Sequence, residues 1–366
     1  ADGPAELVIE TQVTEITGDQ LRYCGYDAIE LAREREFEEV AGLLWTGALA
    51  DADAAATAGA AGTAGDQGAA VPWLATDAAV AAASAAQAAL PSGTLPLERL
   101  QVIVPALAAA DPLRLHLDPP AVIAAGRGLI AGMADSLPPG RPAPGRAARQ
   151  ARGSSIAERL ATRLCPVAPG PGLLRALRAA MVLLADHELA ASTLAARVAA
   201  SMRADPYAVV ATGLGAVGGA LHGGASFGAE LMLRSAAGPQ EAARVVGDLL
   251  RRGERIPGFG HFVYRGSDPR AVLLISMLRE AAPGSERLAV ADAVIAEARR
   301  RALPEPNIDF ALAVLATIAG MVPGGGEAVF AVARTAGWLA HALEEYARGT
   351  PIRPRGIYTG PAWAPR

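Results

Sequence analysis

Three of the five histidines lie in distinctive local sequences. They are His187 in ADHE, His222 in LHGGA and His261 in GFGH. Imidazole titrates near neutral pH, so each ring could act as a general acid, a general base or a hydrogen-bond donor. A histidine alone in a glycine-rich turn is more often structural, and the residues leave both interpretations open. No HExxH pattern or His/Cys cluster accompanies them, so we expect no metal site.

One aspartate and three arginines stand out beside these histidines. Asp309 in PNIDF precedes the apolar run FALAVLATIAG, so it could be a reactive carboxylate or the N-cap of a helix. Arg270 in DPRA, Arg334 in ARTAGW and Arg353 in IRPRGIY carry the planar forked donors that bind carboxylates. Surface salt bridges are the alternative for all three arginines.

The composition excludes several other kinds of chemistry. All 33 basic residues are arginine, so a lysine Schiff base, a pyridoxal phosphate lysine and a P-loop lysine are impossible. The net charge is −4, without long runs of one sign, which gives no support for nucleic-acid or polybasic membrane binding. Cys24 and Cys165 form neither a disulfide framework nor a metal-ligand spacing. With no visible secretory signal, we expect a cytoplasmic location.

The elements that must position these residues are predicted to be almost all helical. Residues 7–25 predict a short β-hairpin, and Asp27 to Trp45 predicts a helix. We expect the stretches 51–70 and 137–154 to be mobile loops. In the last long helix, apolar side chains repeat from Val329 to Tyr346, yet the opposite face is also bulky. This helix should therefore lie between other layers.

The segment Gly213 to Gly218 matches G-x-G-x-x-G, a dinucleotide-binding pattern. That pattern binds a dinucleotide only between a strand and a helix. Here Asp205 and Pro206 are typical of an N-cap and a first helical residue, so we expect a helix across the glycines. The nucleotide interpretation is the minor alternative.

Eight short segments occur along the chain in the order seen in citrate synthases. They are LRYCGY, FEEVAGLLWTG, ADHE, LHGGA, PGFGHFVYRGSDPRA, PNIDF, ARTAGWLAH and RPRGIYTGP. From about residue 8 to residue 361 the chain therefore resembles the citrate synthase family. PGFGHxVYxxxDPR and PNxDF are the specific motifs, whereas the alanine-rich region 50–150 matches only loosely.

The resemblance implies an all-α, two-domain fold with a small helical domain inserted in a large one, and a homodimer with shared active sites. The implied boundaries are 1–222 and 316–366 for the large domain and 223–315 for the small domain. The implied reaction is the condensation of acetyl-CoA with oxaloacetate and hydrolysis of the thioester to citrate and coenzyme A. Coenzyme A enters as a co-substrate, with no permanently bound cofactor and no metal.

The resemblance also assigns roles to individual residues. It makes Asp309 the base, His222 the hydrogen-bond donor to the thioester oxygen, and His261 the group that polarises and protonates the ketone oxygen. The substrate-binding set that it implies is His187, Arg270, Arg334 and Arg353, the last reaching over from the partner subunit. Its coenzyme A set is Arg265 near the phosphates and the main chain of Pro257, Gly258, Phe259 and Gly260 near the adenine.

Two departures from the family pattern flank the expected thioester. Phe262 stands where the family often has a basic or small residue, and Ser226-Phe227-Gly228 replaces the usual Asn-Glu. These positions leave the acyl donor open, so 2-methylcitrate synthase or another acyl-CoA/2-oxo acid condensing enzyme is one alternative. A non-catalytic coenzyme A-binding paralogue is the other.

Overall fold

The computed structural model of the chain describes residues 8–49, 73–140, 154–219 and 224–361. These residues form one small sheet and fifteen α-helices. The helices α1 to α15 are Ala28–Glu34, Phe37–Thr46, Asp77–Gln87, Pro96–Ala109, Pro119–Ser136, Ile156–Leu164, Pro171–Leu184, Ala191–Ser201, Pro206–Val217, Gly224–Ser235, Ala242–Arg251, Pro269–Ala281, Glu286–Arg300, Ile308–Ile318 and Gly325–Arg348. The predicted all-α class is confirmed.

The sheet contains the predicted N-terminal hairpin. Strands β1 (Thr14–Thr17) and β2 (Gln20–Tyr23) pair antiparallel, and β3 (Tyr26–Asp27) adds a short third strand that the sequence did not predict. Gly18 supplies the positive φ of 61° at the turn between β1 and β2. Thr14 lies opposite Tyr23 in this register, and both side chains are buried.

The helix predicted from Asp27 to Trp45 is two helices. Asp27 caps α1 by accepting from the backbone N–H groups of Ile29 and Glu30. The backbone N–H of Glu36 donates to the Glu39 carboxylate at 2.8 Å, which completes a capping box and starts α2. A second N-terminus therefore interrupts the helix after Arg35, although the apolar period continues across the break.

Helix α15 occupies the interior, as its pattern predicts. It packs against helices on several sides, namely α2, α4, α5, α7, α8, α9, α10 and α14. Side chains from both of its faces, including Trp338 and Leu339, are buried. The long C-terminal helix therefore provides one wall for residues that come from distant parts of the chain.

The glycine-rich segment 213–218 lies within and just after α9, so the dinucleotide interpretation is wrong. Asp205 caps this helix through the N–H groups of Tyr207 and Ala208, and Pro206 is its first residue, as predicted. A Cβ atom at Gly213 would lie 2.7 Å from the Trp338 ring. The glycine therefore allows α9 to pack closely on α15.

Two predictions fall largely outside the described residues. The stretch 51–70 lies there entirely, and most of 137–154 does as well. The two-domain division stays a prediction; helices α10 to α13 lie in the segment assigned to the small domain, and α14 crosses its predicted end at residue 315. No described helix has the length and apolar character needed to cross a membrane.

Candidate active site

His187 and His261 lie side by side although 74 positions separate them in sequence. Their ring centroids are 5.2 Å apart, in an edge-to-face arrangement. His187 lies in the turn between α7 and α8, and His261 lies in the loop between α11 and α12. The buried side chain of Tyr264 joins them, because its hydroxyl lies 3.0 Å from His187 Nε2 and its ring centroid is 4.7 Å from that of His261.

The loop backbone sets the hydrogen-bonding state of His261. Its Nδ1 accepts from the backbone N–H groups of Val263 at 3.0 Å and Tyr264 at 3.3 Å. Burial and then the charge of Arg270 lower the pKa of His261 to about 4, so the ring is neutral at neutral pH. With Nδ1 accepting, Nε2 carries the proton.

Arg270 faces that same Nε2 atom. Its Nη2 lies 3.3 Å from His261 Nε2, so two donors point toward one region and an acceptor oxygen placed between them would satisfy both. Asp268 holds the guanidinium through Nε to Oδ1 at 3.0 Å and Nη2 to Oδ2 at 2.9 Å. This ion pair raises the pKa of Arg270, which keeps the buried side chain charged.

Asp268 also connects this arginine to helix α14. Its Oδ2 accepts from the backbone N–H of Ile308 at 3.0 Å, and its Oδ1 accepts from the N–H of Arg270 at 3.0 Å. Asp268 is therefore the N-cap of α12 and a contact to the first turn of α14. One buried carboxylate fixes the distance between Arg270 and the helix that carries Asp309.

Asp309 does not cap its helix, so the capping alternative is wrong. The N-cap of α14 is Asn307, whose Oδ1 accepts from the N–H groups of Asp309 at 3.0 Å and Phe310 at 3.3 Å. Among the residues that the structure describes, the Asp309 carboxylate has no hydrogen-bond donor. Burial raises the pKa of Asp309 to about 6, against the opposing charges of Arg270 and Arg334.

Arg334 brings a second buried positive charge from α15. Its Nε donates to the carbonyl oxygen of Leu184 at 2.7 Å, and its guanidinium lies 4.8 Å from the Phe330 ring centroid. Its charge opposes the pKa rise of Asp309 and depresses the pKa of His187, which burial and Arg270 already lower well below the usual value. His187 is therefore neutral, and both arginines act on the same group of side chains.

The main chain from Pro257 to Gly260 runs along the N-terminus of α14. The N–H of Asn307 donates to the Gly258 carbonyl oxygen at 2.8 Å, and the N–H of Gly260 donates to the Glu305 carbonyl oxygen at 2.8 Å. Gly258 has a φ of +79°, and a Cβ atom there would lie 2.7 Å from Phe310. Its glycine is therefore required by backbone conformation and by close packing on α14.

The structure brings five of the predicted site residues together and leaves others apart. His187, His261, Arg270, Asp309 and Arg334 interact through the contacts and charges above. Arg265 is exposed, and Arg353 lies exposed in the segment without regular secondary structure after α15. His222 lies outside the described residues.

Sequence reasoning missed two residues that organise this site. Tyr264 and Asp268 both lie in the motif PGFGHFVYRGSDPRA, so the segment was identified but these side chains were given no role. The Asp268 signal was present, because an aspartate before proline is typical of an N-cap. The contact between Tyr264 and His187 has no local signal.

Within the described ranges, no group of three or more His, Cys, Asp or Glu side chains is arranged to hold a metal ion. The site combines two buried arginines, two neutral histidines and one carboxylate with a raised pKa. Such a set can bind a dicarboxylate, polarise a carbonyl oxygen and accept a proton.

Known proteins match the chain along nearly its whole length. The family model described as "Citrate synthase, C-terminal domain" matches residues 5–355. The citrate synthase of Haloferax volcanii is 34% identical over 97% of this chain and 94% of its own length. Citrate synthase 2 of Bacillus subtilis is 38% identical, over 56% of each chain.

Solved structures match the fold. The citrate synthase of Thermotoga maritima superposes with a TM-score of 0.76 at 25% identity, covering 99% of this chain and 96% of that one. That of Thermoplasma acidophilum, solved as a ternary complex with carboxymethyl coenzyme A and oxaloacetate, gives a TM-score of 0.77 at 24% identity, covering 99% of this chain and 96% of that one. The chain belongs to the citrate synthase family.

Proposed function

We propose that the chain condenses acetyl-CoA with oxaloacetate and hydrolyses the product thioester, which gives citrate and coenzyme A. The observation that carries this proposal is the Asp309 carboxylate, which lacks a hydrogen-bond donor among the described residues and has a pKa near 6. The charges of the buried Arg270 and Arg334 act on this carboxylate, and Arg270 Nη2 lies 3.3 Å from the Nε2 of His261. Family membership supports the same reaction.

In this mechanism Asp309 removes a proton from the methyl carbon of the thioester. The methyl group is a very weak acid, so its thioester oxygen needs a hydrogen-bond donor while the enol forms, and we assign that role to His222. The enol carbon then attacks the ketone carbon of oxaloacetate. The ketone oxygen takes a proton from His261, and water finally cleaves the thioester to a carboxylate and the coenzyme A thiol.

Oxaloacetate is held by its two carboxylates. Arg334 uses only Nε on a carbonyl oxygen among the described contacts, so its two Nη groups can form the forked pair that a carboxylate accepts. Arg270 keeps Nη1 for substrate, because Nε and Nη2 bind Asp268. His187 completes this set. The ketone oxygen then occupies the region between His261 Nε2 and Arg270 Nη2.

A thiol-release assay tests this function. Wild-type protein should release coenzyme A thiol when it receives oxaloacetate with acetyl-CoA, and neither substrate alone should give a signal. A panel of acyl-CoA thioesters in the same assay ranks the donors. If no thioester gives thiol release while coenzyme A still binds, the protein is the non-catalytic paralogue.

Phe262 bears on the choice of acyl-CoA donor. Its side chain is fully exposed, at 103% of its reference area, so it packs against no other part of the described chain. An extra methyl group in an apolar pocket changes discrimination by only ~1–3 kcal/mol, so we expect acetyl-CoA to be preferred with measurable turnover of propionyl-CoA. A wild-type preference for propionyl-CoA would indicate 2-methylcitrate synthase. Comparing kcat/KM for acetyl-CoA and propionyl-CoA in Phe262→Ala and Phe227→Ala shows which ring affects the preference between the two thioesters.

The coenzyme A contacts and the shared site also belong to this proposal. Arg265 is exposed and available to phosphates, and it follows by five positions the 257–260 main chain that we assign to the adenine. Arg353 is exposed in a segment without regular secondary structure after α15, as an arginine that reaches a partner's site would be. We therefore propose a homodimer, and a cytoplasmic location stays a prediction.

Mixed dimers test the role of Arg353. Arg353→Ala and Asp309→Ala should each be nearly inactive alone. If Arg353 serves the partner's site, random pairing after co-refolding restores one intact site in half of the dimers, so about a quarter of wild-type activity returns. Absence of recovery, with subunit exchange shown by mass, would place Arg353 in its own subunit's site.

A further inference from the structure

We propose that the N-terminal hairpin positions the active site: Thr14 and Tyr23 hold Asp186, and Asp186 fixes the turn that carries His187. Thr14 and Tyr23 then act through His187, without touching substrate. This inference rests on the proposed function for its kinetic consequences. Its structural basis is separate, because every contact lies within the described chain.

The hairpin contacts Asp186 with a pair of cross-strand neighbours. Thr14 Oγ1 donates to Asp186 Oδ2 at 2.6 Å. Tyr23 lies opposite Thr14 in the sheet, and its hydroxyl lies 3.0 Å from the carbonyl oxygen of Asp186. The same hydroxyl lies 3.1 Å from the carbonyl oxygen of Val182 and 3.2 Å from that of Leu183. Two hydroxyl groups of one small sheet therefore hold the end of α7 and the turn after it.

Helix α15 holds the turn from the other side. His341 Nε2 lies 3.3 Å from Asp186 Oδ2, and the N–H of Gly337 donates to the carbonyl oxygen of Ala185 at 3.0 Å. A Cβ atom at Gly337 would lie 2.2 Å from Asp186 Oδ1, so only glycine allows this approach. The turn is thus enclosed between the hairpin and α15, which also carries Arg334.

Electrostatics keep Asp186 ionised. Burial alone would raise the pKa of Asp186, but His341, then Arg334 and the Thr14 hydrogen bond, lower it below the usual value. The same pairing raises the pKa of His341. The other charges that face His341 are Arg197, whose Nη1 lies 2.7 Å from Nδ1, and Glu344, 3.7 Å from Nδ1. Arg197 is itself paired with Glu344 and Glu345.

The Asp186 carboxylate bonds to the backbone on the far side of His187. Its Oδ2 accepts from the N–H of Glu188 at 3.1 Å, so the side chain closes a turn with His187 in the middle. Glu188 has a φ of +52°, a conformation that a residue with a Cβ atom adopts only at a cost. The contacts of Asp186 hold this conformation, and the direction of the His187 side chain follows from it.

The test compares two threonines of the same strand. Thr14→Val replaces the buried hydroxyl with a methyl group of similar size, and Thr17→Val makes the same change at an exposed site whose hydroxyl donates to Glu15 at 3.3 Å. Losing one donor to a buried carboxylate should raise the KM for oxaloacetate on the order of tenfold, with little change in the KM for acetyl-CoA. Thr14→Ser keeps the hydroxyl and should restore the wild-type KM for oxaloacetate, and Thr17→Val should match wild type.

A second measurement does not depend on turnover. The chain has five histidines, so selective ¹⁵N labelling of their rings gives few NMR signals. The signal that disappears in His187→Asn is that of His187. The chemical shift of the His187 ring signal should change in Thr14→Val and remain unchanged in Thr17→Val and Thr14→Ser. If Thr14→Val does not fold, Tyr23→Phe removes the second hydroxyl and should move the same signal.

The outcomes separate the two proposals. If wild type releases no thiol but the His187 signal moves as expected, the proposed function fails and the positioning role stands. If wild type is active and Thr14→Val leaves both the oxaloacetate KM and the His187 signal unchanged, the positioning role is wrong. An equal loss for both substrates, with loss of melting temperature and no rescue by Thr14→Ser, would also overturn it, because that pattern indicates a purely structural contact.

Discussion

The charge of Arg334 acts on both Asp309 and Asp186, yet their pKa values are shifted from the usual value in opposite directions. Asp309 has a raised pKa of about 6, and Asp186 has a lowered one. The difference lies in their partners. Asp186 accepts from Thr14 and Glu188 and contacts His341, whereas the Asp309 carboxylate has no donor among the described residues.

The comparison shows how one residue type can serve structure or chemistry within the same protein. A carboxylate that is already satisfied by donors is a poor proton acceptor, because protonation would break those hydrogen bonds. A carboxylate without donors accepts a proton readily. Its helix does not need Asp309 for capping, because Asn307 provides the cap. That arrangement leaves Asp309 free to react.

Asp309→Asn should give the largest effect on activity. It removes the basic carboxylate and keeps the size of the side chain, so thiol release should fall by ~10²–10⁴ or more. The fold should survive. Because the folded pKa of Asp309 lies above its unfolded value, ionisation costs stability as the pH rises from about 4 to 6. The variant should therefore melt no lower than wild type at pH 7.5, as calorimetry can show.

The matched control for that variant is Asp292→Asn, which removes an exposed carboxylate paired with Arg279 at 2.5 Å. It should leave both turnover and melting temperature close to wild type. Near-normal thiol release in folded Asp309→Asn would show that another group is the base.

Asp186→Asn should give the largest effect on stability. It removes one partner of a buried charge cluster, which costs about 3–5 kcal/mol in comparable cases. Because the folded pKa of Asp186 is depressed, its stabilisation is present above the unfolded pKa and is lost as the pH falls through the folded pKa. Urea unfolding at pH 7.5 measures the difference. A variant as stable as wild type there would break the contrast with Asp309.

Tyr264→Phe should have a smaller effect, and on binding. It deletes the hydroxyl that lies 3.0 Å from His187 Nε2 and leaves the ring beside His261. One lost hydrogen bond corresponds to about 1 kcal/mol, or roughly fivefold in the KM for oxaloacetate. Tyr358→Phe, at an exposed tail position, is the control. An unchanged KM would mean that the Tyr264 hydroxyl does not orient His187.

Local patterns in the sequence predicted the mostly helical character of the chain, the N-terminal hairpin and a few particular helices. The burial of α15 followed from large side chains on both faces, and Asp205 with Pro206 marked the start of α9. These signals depend on neighbours a few positions apart. The break between α1 and α2 was missed because the capping pair of Glu36 and Glu39 lies within a continuous apolar period.

The site itself was only partly predictable. Motif resemblance identified His187, Arg270 and Asp309, but not what surrounds them. The partner of Asp186 in β1 is 172 positions away, and its partner in α15 is 155 positions away. No local pattern encodes such pairs. Whether an aspartate accepts hydrogen bonds and serves structure, or lacks donors and can react, depends on these distant contacts.

The pH dependence of kcat/KM for acetyl-CoA tests the role of Asp309 most directly. The carboxylate must be ionised to remove a proton, so activity should fall as the pH drops, with a midpoint near 6. Burial and the nearby acids Glu230 and Asp309 raise the pKa of Glu327 to about 7, so Glu327→Gln is measured in parallel. The account predicts that this variant keeps a midpoint near 6. A wild-type midpoint near 4, or one that disappears in Glu327→Gln, would contradict it.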